Sequence, residues 1–73
     1  MKTKILEIIN LIRESNNQEI LEQLHDTDNL RDDIGFTSFD LAELTVRIED
    51  EFNIDIFEDG LVETVGEIYS KLK

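Results

Sequence analysis

The sequence predicts an all-α fold, a small four-helix bundle with three main helices and one short one, and three observations lead to that reading. Apolar residues recur at helical spacing in separate stretches, proline is absent, and the connections suit antiparallel helical neighbours. The 73 residues allow one compact core, so a single domain is expected over residues 1–73. With no cysteine, neither a disulfide nor a thiolate metal site supplements that core, and packing alone must hold it.

The first helix is predicted over residues 3–15, where Ile5, Ile8, Ile9 and Ile12 share a face and Lys4, Glu7, Asn10 and Arg13 turn elsewhere. Asn16 and Asn17 end it, because asparagine enters the left-handed region at modest cost and its amide competes with helical bonding. The connection from Asn16 to Thr37 is too long to be structureless in a compact domain. Ile20, Leu21 and Leu24 are expected to line a short helical turn, with Leu30 and Ile34 as apolar anchors. Asp26, Asp28, Asp32 and Asp33 between them favour turns through side-chain bonds to nearby backbone.

The second helix is predicted to start at Thr37 or Ser38, both good N-caps, and to run to about Phe52. Leu41, Leu44, Ile48 and Phe52 form its buried stripe, Asp40 favours the positive end of its dipole, and Glu43, Arg47, Asp50 and Glu51 make a solvated face. Asn53 to Ile56 reads as an extended link, and Gly60 as a turn beside a short third helix around residues 57–62. Thr64 and Glu67 have capping-box spacing. Val65, Ile68, Tyr69 and Leu72 then give the last helix its apolar face, and Lys71 and Lys73 suit its negative end.

Seven Lys and Arg against 18 Asp and Glu leave a formal net charge of -11. Such a chain repels nucleic acid and anionic membrane surfaces and attracts basic protein partners. It lacks both the apolar core of a signal peptide and a long uncharged apolar run, so no membrane span is expected and a cytoplasmic location is the default.

Catalysis by this chain alone is not expected. His25 is the sole histidine, and a triad with Ser38 would need an oxyanion hole and a pocket that so small a domain has little room for. Asp26, Thr27 and Asp28 begin like a calcium loop, but Arg31 stands where glycine is required and Thr37 where glutamate is. No metal site is therefore predicted.

Ser38 suits the role of substrate better than that of catalyst. A hydroxyl at a helix N-terminus can bear a phosphate ester, because exposed N–H groups and the helix dipole there favour an anion. Phe36 and Phe39 bracket it, and an exposed Phe39 beside Asp40 and Glu43 would make an interaction surface.

From Asp33 to Phe52 the sequence resembles the prosthetic-group site of acyl carrier proteins, and the likeness in element order extends over essentially the whole chain. That family's usual pattern is an acidic residue, leucine, glycine, a variable residue and Asp-Ser-Leu. Here Gly35 and Ser38 match, while Thr37 and Phe39 replace the aspartate and the leucine. The resemblance implies an acyl-carrier-like, phosphopantetheine-dependent protein. It implies that Ser38 receives 4′-phosphopantetheine from coenzyme A through a magnesium-dependent phosphopantetheinyl transferase, and that the arm carries acyl or aminoacyl groups as thioesters. It also implies recognition of the transferase, loading enzymes and synthases with basic docking patches through Phe39, Asp40, Glu43, Val46, Arg47 and Asp50. Arg47 is a departure on a usually acidic face, and the short stretch from Phe52 to Val65 points to a carrier of a specialised pathway; a monomer is expected. An unmodified carrier-like interaction module and an acidic nucleic-acid mimic are the other function classes compatible with the charge.

Overall fold

The computed structural model describes residues 1–58 and 60–72, and within them three helices form: α1 (Lys2–Ser15), α2 (Ser38–Phe52) and α3 (Val65–Lys71). The face of α1 made by Ile5, Ile8, Ile9 and Ile12 is buried, as its spacing predicts. Asn16 caps the helix and Asn17 follows in the left-handed region at φ 61°. Leu44 and Ile48 of α2 are fully buried, with Leu41 and Phe52 partly buried beside them. Val65, Ile68 and Tyr69 complete the core from α3. Lys71 lies in the last turn of α3, and Lys73 lies outside the described residues.

The two long connections contribute as much to the core as a helix would. Leu30, Ile34 and Phe36 from the first, and Ile56 and Val62 from the second, are all buried. The expected helical turn at Ile20–Leu24 is absent, and Ile20 is exposed. The side chain of Asn10 on α1 accounts for this. Its amide donates to the Leu21 carbonyl at 2.9 Å and its carbonyl accepts the Leu21 N–H at 2.7 Å, so both backbone groups of Leu21 are satisfied without a turn. A nascent single turn, with its costly nucleus, does not compete with that pairing. Arg13 draws the same connection inward, donating to the Glu19 carbonyl at 2.8 Å and to the Ile34 carbonyl.

The second half of this connection lies against the start of α3. Leu30 N–H donates to the Glu63 carbonyl at 2.8 Å, Val65 N–H to Asp28 at 3.0 Å, and Gly66 N–H to Asp26 at 2.9 Å. Gly66 is required by that approach, since a Cβ there would stand 2.9 Å from the Asp26 carbonyl oxygen. The short helix expected over 57–62 is not among the three helices. Asp55 instead accepts the Glu58 N–H at 3.2 Å on its carbonyl and the Phe57 N–H at 2.9 Å on its side chain, and Gly60 N–H donates to Phe57 at 3.2 Å. These are successive turns; Asp59 lies outside the described residues.

Candidate functional site

The site is set by a turn and a cap. Gly35 takes φ +85°, a conformation that L side chains rarely adopt, and Phe36 then plugs into the core, its N–H donating to the Leu30 carbonyl at 2.9 Å. With the chain anchored there, Thr37 becomes the N-cap of α2. Its hydroxyl oxygen accepts the Asp40 N–H at 3.2 Å, while the Asp40 carboxylate accepts the Thr37 N–H at 3.0 Å and the Thr37 hydroxyl at 3.1 Å. This is a closed capping box with an aspartate in the place of the usual glutamate.

Ser38 is thus the first residue of the helix and is exposed. Its hydroxyl oxygen accepts a hydrogen bond from Arg31 Nη1 at 3.2 Å. Thr37 satisfies the Asp40 N–H, and the two N–H groups before it in the first turn have no intrahelical carbonyl to bond. The serine oxygen therefore stands at the positive end of the helix dipole, beside a guanidinium, with no part in the cap.

Asp40 differs from its expected place on the surface. It is only 6% exposed, and its second carboxylate oxygen accepts the Asn16 amide at 3.0 Å, joining the end of α1 to the start of α2. The Thr37 backbone N–H holds its carboxyl below the usual aspartate range, opposed by burial and helped by the Asn16 amide and the Thr37 hydroxyl. With its oxygens so engaged, Asp40 ties the start of α2 to the end of α1.

The remaining predicted residues lie along the outer side of α2. Phe39 is 81% exposed and Val46 67% exposed, with Ala42 between them, so the helix presents an apolar strip opposite its buried stripe. Glu43 and Arg47 flank the strip as an ion pair of 2.9 Å, four residues apart, so the unexpected positive charge is matched on its own helix. Asp50 is exposed beyond them. His25 is an exposed loop residue next to Asp28, 3.6 Å from its carboxylate. Asp28 and Asp33 accept local backbone N–H groups at 2.9 and 2.7 Å. Among the described residues, no group of His, Asp and Glu is arranged to hold a metal ion. No described helix is long and apolar enough to cross a membrane.

Sequence reasoning overlooked Arg31. It belongs to no apolar period, and only the folding of the first connection brings it beside Ser38. Asn16 was likewise readable as a helix stop but not as the donor that fixes Asp40.

The family model described as a phosphopantetheine attachment site matches residues 5–71, whereas no curated protein and no solved structure matches the chain. That match takes in nearly all of α1, both connections and all of α2 and α3. The chain therefore belongs to the phosphopantetheine attachment-site family, the acyl-carrier type of protein whose members bear a covalent 4′-phosphopantetheine.

Proposed function

We propose that Ser38 Oγ is the attachment point of the arm, and that the chain is a non-catalytic carrier of acyl or aminoacyl groups in a specialised lipid, polyketide or related biosynthetic pathway. One observation supports this above the others. Adjacent hydroxyls divide the work at the start of α2: Thr37 caps the helix, so Ser38 is exposed with its oxygen outside the cap. The replacement of the family's aspartate by Thr37 preserves a capping oxygen in that position.

The surroundings fit a phosphodiester. The first turn of α2 offers N–H groups and the positive end of its dipole, and the Arg31 guanidinium reaches the serine oxygen. When bound, the arm supplies the thiol that the cysteine-free chain lacks. The chain's own residues present the arm and meet its partners.

Carriers of this family meet a phosphopantetheinyl transferase and synthases. For this chain we place the docking face on Phe39 and Val46, rimmed by Glu43, Arg47 and Asp50, with Asp40 beneath it as the organiser of the helix start. Basic patches on the partners complement the net charge of -11. A monomer in the cytoplasm completes the proposal.

Incubation with coenzyme A, magnesium and a broad-specificity phosphopantetheinyl transferase, followed by intact-mass analysis, tests the reading. A mass gain is expected in the wild type and none in Ser38→Ala. No gain in the wild type, or a full gain in Ser38→Ala, would contradict it.

A further inference from the structure

We propose that Arg31 is a positioning residue that grips the phosphodiester once it is attached at Ser38. The inference rests on the reading of Ser38 as the attachment point. Arg31 is held in place before any modification. The Asn29 side-chain oxygen accepts the N–H groups of Arg31 and Asp32, each at 2.9 Å, and Asn29 N–H donates to Asp33 at 2.7 Å. Next to it, Leu30 is fully buried and its N–H is bonded to the Glu63 carbonyl at 2.8 Å. From this fixed backbone the guanidinium donates to Ser38 Oγ at 3.2 Å.

Esterification turns that oxygen into a weak acceptor and sets anionic phosphate oxygens beside it. A planar guanidinium prefers those oxygens, since charge-assisted bonds to phosphate are shorter and stronger than bonds to a neutral hydroxyl. Four other basic side chains are engaged elsewhere. Arg13 bonds backbone carbonyls, Arg47 pairs with Glu43, Lys4 lies between Glu7 and Glu51, and Lys2 stands over the Tyr69 ring at 5.0 Å. In a chain of net charge -11, a cation bonded to the serine offsets the repulsion that a further negative charge would meet.

Arg31 also determines which way the arm leaves. It shares a shallow groove with Leu41, Phe57 and Val62, whereas Phe39 and Val46 line a different hollow. A phosphate held by Arg31 thus lies on the Leu41 side of α2 and leaves the Phe39–Val46 strip open.

The test compares the wild type with Arg31→Gln and Arg31→Lys, each before and after transferase treatment, by intact mass, ³¹P NMR and the Arg31 Nε–H resonance. Modification should move the wild-type Arg31 resonance. The phosphorus resonance should differ between wild type and Arg31→Gln, with Arg31→Lys between them, and that difference should shrink as salt is raised. The melting temperature should change on modification about 2–4 °C more favourably in the wild type than in Arg31→Gln. Equal phosphorus resonances and salt responses in three modified proteins would overturn the grip and leave Ser38 as the attachment point. No mass gain in the wild type would overturn both. If Arg31→Gln resists modification, the wild-type Arg31 resonance decides: displacement upholds the grip and its absence refutes it.

Discussion

The starts of α2 and α3 carry the same sequence signal, a threonine with an acid three residues on, and fold it to different ends. At α2 the short Asp40 side chain closes on the N–H of its own cap residue, and Asn16 locks it from α1. At α3 the longer Glu67 overshoots. It accepts the N–H of Glu63 at 3.3 Å, one residue before the cap, and only the Thr64 half of the box forms, with the Glu67 N–H at 3.3 Å. Loop carbonyls do the rest there, taking the N–H groups of Val65 and Gly66. The first turn of α3 is consequently closed by protein, whereas that of α2 keeps its leading N–H groups and a serine hydroxyl open to a ligand. One signal thus makes a joint in one place and an open helix start in the other.

Changes that break each start separately should reveal this division. The largest effect is expected from Gly66→Ala, which forces a Cβ against the Asp26 carbonyl and should destabilise the fold by about 2–3 kcal/mol in denaturant unfolding. Asp40→Ala should come next, at about 2 kcal/mol, because it removes a closed box and leaves the Thr37 N–H and the Asn16 amide without their acceptor. Its counterpart Glu67→Ala should cost only about 0.5 kcal/mol, since the bonds it breaks are long and exposed. A comparable loss at the two positions would erase the distinction drawn between them.

Acid offers a further separation. The Asp40 carboxyl titrates below its ordinary range in the fold, so its stabilisation is complete above about pH 4 and is lost as pH falls through the depressed folded value. The gap in stability between wild type and Asp40→Asn should narrow over that window when followed by thermal unfolding. A gap that widened there would reverse the assigned sign. Smallest of all should be Thr37→Ser, which keeps both the capping oxygen and the hydroxyl donor to Asp40 and should leave stability within about 0.5 kcal/mol.

Much of the fold was legible in the sequence because spacing encodes it. The isoleucines of α1, the Leu44–Ile48 stripe of α2 and the Val65–Ile68–Tyr69 face of α3 follow directly from a 3.6-residue period. The places that misled are those where one side chain, distant or near, satisfies backbone groups that a helical turn would use. Asn10 replaced a helical turn at Leu21, and Asp55 helped hold residues 55–58 in turns. At the site, the place of Ser38 at the start of α2 and of Phe39 to one side of the buried stripe could be read from position, whereas Val46 came only through the family resemblance. The burial of Asp40 could not, since an acid in a first turn signals a favourable dipole contact and says nothing of Asn16 arriving from α1. Arg31 was hidden for the same reason, its meaning arising only when Leu30 and Phe36 pin the connection beside α2.

The measurement that tests the account most directly is peptide-level mass spectrometry after transferase treatment of the wild type, Thr37→Asp and Ser38→Ala, because two adjacent hydroxyls compete for the role. The arm should be found on Ser38 in the wild type and in Thr37→Asp, and nowhere in Ser38→Ala. An arm located on Thr37, or one that survives Ser38→Ala, would contradict the division between a capping threonine and a presented serine.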